Sequence, residues 1–200
     1  MRRSSIVVFA GVLLLVPAAL PAQHGTPGGG GRVLAPAAEA SQFDFLIGQW
    51  EITVQPRATS LAARIHGAPK LGGTWKAWRA FDGFGIEDEM RIVDASGNPV
   101  SLTHAVRVYD PTAKRWSISG LDVYRTRFSA STATWTNGEM VATGTGTDPE
   151  GKPSMTRTRY FEISPTGFRM EQDRSADNGA TWAKATIKIT ARKVAAAAPR

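Results

Sequence analysis

Apolar and polar positions alternate along most of the chain after residue 41, which is the period of a β-strand with one buried face. Trp50, Ile52 and Val54 alternate with polar residues and predict a first strand over 50–55. The same criterion predicts the strands 74–81, 84–93, 100–109, 116–122, 140–147, 155–164, 168–174 and 182–193. Residues 124–136 form one long strand or a bent pair, and residues 61–65 form one or two helical turns. The pattern therefore predicts about ten strands and little helix.

Turn residues occupy the segments between these strands. Asp94–Pro99 and Asp148–Pro153 share the pattern D-x-x-G-x-P, and Asn137–Gly138 is a further turn signal. Glycine supplies positive φ, Asp and Asn bond to their own backbone, and proline ends a strand. Short connections favour an antiparallel meander, which makes either a sandwich or a closed barrel. We favour the all-β up-and-down barrel, because closure removes exposed sheet edges.

The first 40 residues lack this alternation. Residues 1–22 resemble a secretory signal, with two arginines near the start, an apolar run and small residues up to Ala22. The apolar run is shorter than the ~20 residues that span a bilayer, so we expect cleavage rather than an uncleaved anchor. Residues 23–40, rich in Gly, Pro and Ala, predict a flexible leader, and 195–200 a disordered tail. The expected product is one barrel domain over 41–194, periplasmic or secreted.

Composition excludes several classes of function. The 200 residues include no cysteine, so disulfides, thiolate metal sites and cysteine nucleophiles are absent. Loss of the signal removes two arginines from a formal charge of +7, and the remaining excess does not indicate a nucleic-acid surface. The three histidines are not spaced for a zinc site, and no phosphate loop or G-x-S-x-G motif occurs. We expect no metal, no cofactor and no nucleic-acid partner.

The segment Gln42–Trp50 (QFDFLIGQW) carries a family resemblance. G-x-W at the opening of a first strand resembles the calycin barrels, which are the lipocalins and their relatives. The longer F-D-F-x-x-G-x-W, together with Phe81–Arg91 and Tyr109–Pro111, resembles an uncharacterised family of exported bacterial proteins with such barrels. The resemblance covers residues 42–192 and implies a fold without an agreed reaction. Haem-binding relatives use a late histidine, and no histidine follows His104, so haem is not expected.

The same segment predicts an N-terminal plug. Phe43 and Phe45 are expected to close one end of the barrel, Gly48 to permit a tight entry, and Trp50 to cap the core. In calycins an arginine from the last strand often packs over this tryptophan as a cation–π contact. Arg192 stands at the corresponding place, and it either makes this contact or ends the strand in solvent.

A second motif lies near the end of the chain. Ser175–Trp182 (SADNGATW) matches the Asp-box pattern, which recurs in sialidase propellers. One copy in a chain of this length cannot build a propeller. We therefore expect Asp177 and Gly179 to shape the last hairpin and Trp182 to pack beside it.

Asp88 and His104 interrupt the apolar faces of the third and fourth strands. If Ile92 opposes Val100, then Asp88 opposes His104 directly, and if the register shifts by two, the residues are diagonal and still within reach of a hydrogen bond. Both groups are costly to bury alone, so we hypothesise a buried pair that faces the cavity. It is either a structural pair or a functional one, in which His104 binds a ligand or acts as a base.

Four other residues are candidates for ligand contact. Trp78 and Met90 belong to the second and third strands. Arg157 and Arg159 share parity with apolar neighbours, and they either project into the cavity as anion clamps or cover the outside. The alternation does not decide between these positions.

The sequence favours a barrel that carries or sequesters a small, largely apolar ligand. Its six tryptophans and eight phenylalanines would supply cavity walls and end plugs. The alternatives are an enzyme that uses Asp88 and His104 as an acid–base pair, or an envelope module that binds a protein through its outer strands. No stable membrane insertion is expected after signal cleavage, and the oligomeric state stays open.

Overall fold

A computed structural model of the chain describes residues 34–59, 61–148 and 151–194. The predicted signal peptide, most of the leader and the C-terminal tail lie outside these residues. The strands are β1 (Gly48–Pro56), β2 (Leu71–Ala80), β3 (Gly85–Asp94), β4 (Pro99–Asp110), β5 (Arg115–Asp122), β6 (Arg127–Thr136), β7 (Glu139–Thr147), β8 (Pro153–Ser164), β9 (Gly167–Ser175) and β10 (Ala183–Lys193). One helix, α1 (Leu61–His66), lies between β1 and β2.

The ten strands form a closed antiparallel barrel in which each strand pairs with its neighbours in sequence. The barrel closes where β1 pairs with β10, with Val54 opposite Ile189. The prediction of an all-β up-and-down barrel is confirmed, and the sandwich alternative is excluded. Within the described residues, no helix is long and apolar enough to cross a membrane.

The ambiguous segment 124–136 is a turn followed by one strand. Asp122 accepts a hydrogen bond from the backbone N–H of Arg125 at 3.2 Å, and Thr126 has a φ of 52°. This geometry reverses the chain, so β6 begins only at Arg127.

A plug, residues 38–46, closes the end of the barrel at which β1 begins. It consists of two 3-10 helices, Ala38–Ser41 and Asp44–Leu46. Phe43 between them is fully buried, and its ring meets that of Trp116 edge-on at 4.9 Å. The first helical turn thus begins at Ala38, three residues before the predicted domain boundary. We call the opposite end, at which β1 finishes, the mouth.

The register between β3 and β4 differs from the predicted one. Ile92 opposes Ser101 rather than Val100, and Asp88 opposes Ala105. The register shifts after Ile92, because Val93 opposes Pro99 and β4 holds one extra residue there. A slip of one residue exchanges the two faces of a strand. The predicted pairing of Asp88 with His104 is therefore wrong, because Asp88 faces the lumen and His104 faces outward.

Candidate functional site

A cavity of about 470 Å³ occupies the barrel between the aromatic residues of the plug end and the mouth. This volume is within the range of small-molecule sites, roughly 300–1,000 Å³. Phe128, which is 74% exposed, lines the cavity at the mouth, so the cavity reaches the surface there. The lumen is therefore the candidate site.

The aromatic side chains concentrate at the plug end rather than along the cavity wall. Trp50, Trp116 and Phe168 are almost wholly buried there, and Trp50 donates from Nε1 to the carbonyl of Leu46 at 2.6 Å. Of the tryptophans, Trp75 lines the cavity. The cavity space comes from small inward-facing residues, which are Ala105, Gly120, Ser131, Ala142 and Gly146.

The cavity has one apolar and one polar wall. The apolar wall belongs to β10, β1, β2 and β3, and its side chains are Ile187, Ile189, Val54, Leu71, Met90 and Ile92. The polar wall belongs mainly to β6, β8 and β9, and its side chains are Ser129, Ser131, Ser154, Thr156, Thr158, Gln172 and Arg174. A molecule in this lumen meets hydrocarbon on one side and hydrogen-bonding groups on the other.

Asp88 is held at the base of the cavity by two neighbours. Trp75 donates from Nε1 to Asp88 Oδ1 at 2.8 Å, and the guanidinium of Arg107 forms an ion pair with Asp88 Oδ2. Asp88 is 3% and Arg107 4% exposed. The Arg107 guanidinium also lies over the Phe43 ring, 5.3 Å from its centroid. This contact ties the plug to the barrel wall.

Two further polar groups of the cavity have no such partners. Arg174 Nε and Ser154 Oγ are both buried without a hydrogen-bond partner among the described residues. Ser154 is 7% exposed and lies on β8, and Arg174 lies on the neighbouring strand β9. Both line the cavity. Buried polar atoms without partners are uncommon in native proteins, and each calls for an explanation.

His104 and Trp78 lie together on the outer surface. Their ring centroids are 6.1 Å apart, and His104 Nε2 is 3.8 Å from Glu87 Oε2. Both side chains are more than a third exposed. The structure therefore brings the side chains of Asp88 and Met90 into the lumen, whereas those of His104 and Trp78 lie on the outside.

Arg157 and Arg159 cover the outside of the barrel. The Arg157 guanidinium lies 4.3 Å from the centroid of the Trp182 ring. Arg159 donates to both carboxylate oxygens of Glu139, at 2.9 and 3.0 Å. These bonds lower the pKa of Glu139 and raise that of Arg159. Both arginines therefore cover the outside of the barrel and do not project into the cavity as anion clamps.

The last hairpin has hydrogen bonds centred on Asp177. Its carboxylate accepts from Ser175 Oγ and Thr181 Oγ1, both at 2.6 Å, and from the Thr181 N–H at 2.8 Å. Gly179 has a φ of 89°, and its carbonyl accepts from Trp182 Nε1 at 2.9 Å. The motif is thus a turn between β9 and β10.

The cation beside Trp50 is Lys193 rather than Arg192. Lys193 Nζ lies 5.2 Å from the centroid of the Trp50 ring. Arg192 opposes Glu51 on the outward face and is exposed. Gly48 has a φ of 132°, and a Cβ there would lie 3.1 Å from Lys193 Cε, so the entry to β1 depends on this glycine.

Comparisons with known proteins identify a fold. No protein-family model matches the chain, and no curated protein is similar to it in sequence. A solved structure that resembles it is the S-type phycobiliprotein lyase from Guillardia theta, with a TM-score of 0.53. The match covers 78% of this chain and 93% of that chain at 9% identity, so the likeness is one of fold alone. The fold of the chain is that of a calycin-like β-barrel.

Proposed function

We propose that this chain is exported and that its barrel binds a small, largely apolar molecule in the lumen. The observation that carries the proposal is the cavity of about 470 Å³ in a barrel whose opposite end is packed solid with aromatic rings. Export is proposed on the signal-like residues 1–22.

The apolar wall would supply most of the affinity. Burial of apolar surface yields roughly 25 cal/mol per Å². The lumen is preformed by hydrogen-bonded strands, so little ordering cost is added when a ligand enters. These properties suit sequestration or carriage.

The geometry gives less support to an enzyme that uses Asp88 and His104. A general base must reach the proton that it removes within about 3 Å, or through one water. His104 faces outward, and Asp88 is engaged by Arg107 and Trp75. The two groups therefore share no substrate position, and binding is the better-supported function.

A lumen-filling substitution tests this proposal. Ser131 lines the cavity, whereas its neighbour Ala130 is exposed on the outside of β6. We expect N-phenyl-1-naphthylamine, a neutral apolar probe, to bind wild type saturably and to receive excitation energy from Trp75. Ser131→Phe should weaken this binding about tenfold or more by occupying the lumen, and Ala130→Phe should leave it unchanged.

Two results would contradict the proposal. Absence of saturable binding of the probe to the wild-type protein would contradict lumen binding. Equal loss in the two variants, with circular dichroism showing both folded, contradicts the location.

A further inference from the structure

Arg174 is an exception among the arginines that line the lumen. Arg107 is paired with Asp88, Arg125 is paired with Asp122 at 3.0 Å, and Arg127 donates to the carbonyl of Asp148 at 2.6 Å. The Arg174 side chain forms neither an ion pair nor a hydrogen bond with the described residues, and its Nε is buried. A guanidinium has five N–H donors and stays charged at any physiological pH, so burial without a partner is costly.

Ser154 adds a second unpartnered group in the same place. Arg174 stands directly opposite Thr156 in the β8–β9 ladder, and Ser154 is two residues from Thr156 on the same face. Diagonal neighbours of this kind are about 7–8 Å apart, within reach of an arginine side chain. Ser154 Oγ is more than nine-tenths buried and lines the lumen. One small polar group of a ligand can therefore reach both side chains.

The charge of the lumen favours an anion at this position. The lining residues include the four arginines 107, 125, 127 and 174 and the three aspartates 88, 122 and 148. Two of these aspartates already have arginine partners, which are Arg107 and Arg125. The lining therefore has an excess positive charge, and the Arg174 guanidinium has no counter-ion among the described residues.

We propose that Arg174 and Ser154 form a subsite for the carboxylate, or a similar anionic head, of an amphipathic ligand whose tail lies on the apolar wall. This inference rests on the proposed lumen binding and adds the chemical class of the ligand. The guanidinium donates to the anion and supplies its counter-charge, and the Ser154 hydroxyl donates to a second oxygen. The tail contacts Ile187 and Ile189 on the neighbouring strand β10, and Val54 on β1 beyond it.

A pair of probes with the same tail separates the head from the tail. Octanoate and 1-octanol are each titrated against protein loaded with N-phenyl-1-naphthylamine, and displacement is followed by fluorescence. Hydrogen bonds to charged groups correspond to roughly 10- to 150-fold in affinity. We expect Arg174→Met to weaken octanoate binding at least about tenfold and to leave 1-octanol unchanged. Ser154→Ala should weaken octanoate by a smaller factor.

Arg169→Met is the matched control, because Arg169 lies on the same strand and pairs with Glu162 on the outside. It should change neither displacement curve. A second readout is the Tm without ligand, which Arg174→Met should raise, since it removes a half-buried charge that has no partner among the described residues. A lower Tm would show that Arg174 stabilises the empty barrel and would overturn the inference.

The failures are distinguishable. If the naphthylamine probe does not bind wild type, lumen binding fails and the subsite fails with it. If the probe binds but Arg174→Met leaves octanoate binding unchanged, only the anionic subsite is refuted.

Discussion

Asp88 is a carboxylate buried in an otherwise apolar region, and its neighbours satisfy it. Trp75 donates to one oxygen and Arg107 pairs with the other, while the Arg107 guanidinium also lies over Phe43. A buried ion pair of this kind adds little net stability over an apolar pair, but loss of one partner is costly. The free energy of unfolding should therefore respond asymmetrically to single and double substitutions.

Arg107→Met should lower the free energy of unfolding by about 3–5 kcal/mol, because Asp88 is left charged and buried. Adding Asp88→Asn should restore a large part of this loss, since the amide oxygen still accepts from Trp75. Urea unfolding of the two single variants and the double variant measures the coupling. Additive effects would contradict a direct pair.

The hydrogen bonds of Asp177 make the stability of the protein depend on pH in the acid range. The hydrogen bonds from Ser175 and then Thr181 lower its pKa from the ordinary 3.8 to about 2. A carboxylate with a lowered folded pKa stabilises the protein above its unfolded pKa, and this contribution is lost as the pH falls through the folded pKa. The window is therefore from about pH 4 down to about pH 2.

Asp177→Asn tests this window by thermal unfolding at several pH values. The variant should have a lower Tm than wild type at pH 7, because the amide cannot accept as many hydrogen bonds as the carboxylate. The difference in Tm should shrink between pH 4 and pH 2. A difference that is constant over this range would assign the loss to the turn geometry rather than to the charge.

The β3–β4 hairpin shows where residue patterns stop predicting a site. The apolar face that His104 interrupts includes Val106 and Val108. In the structure, however, Val108 is 37% exposed and Arg107 is buried. Both faces of β4 carry apolar residues, so the alternation alone does not identify the face that is buried. The extra residue in β4 next to Val93 decides the parity, and the alternation near Asp94–Pro99 does not reveal it.

The residue pattern did not identify Arg107, Arg174 or Ser154 as residues of the lumen. An arginine within a strand is ordinarily solvent-facing, and only the register places these side chains inside. Met170 did indicate where Arg174 points. Arg174 lies four residues further along β9 and therefore on the same face as the apolar Met170.

The plug is the element on which the packed end of the barrel depends. Phe43 contacts Phe45, Trp116 and Tyr160, with ring centroids 4.9–5.9 Å apart. Removal of the Phe43 ring would leave a void, and the strands cannot move to close it because their hydrogen bonds fix their positions.

Phe43→Ala should therefore lower the free energy of unfolding by about 3–5 kcal/mol. Phe128→Ala is the matched control, because this ring is 74% exposed at the mouth. Its effect should stay within about 0.5 kcal/mol. Denaturant unfolding of both variants measures the difference, and equal effects would contradict the plug.

For the whole molecule, alternation and turn residues were sufficient to predict ten strands and a closed barrel. Turn chemistry placed nearly every hairpin, because Asp, Asn, Gly and Pro have strong local preferences. The arrangement of the interior was not predictable in the same way. Aromatic rings were expected along the cavity walls, but they fill the plug end, and small residues such as Gly120 and Ser131 create the space. That distribution depends on how the registers of ten strands combine around the barrel.

The most direct test of a ligand-binding lumen is a crystal structure of the protein soaked with 8-bromooctanoate. Anomalous scattering from bromine locates the tail independently of any assumption about the site. We expect one peak inside the barrel, against Ile187 and Ile189, with the carboxylate at Arg174. Bromine peaks confined to the outer surface, with the lumen closed by side chains, would contradict the account.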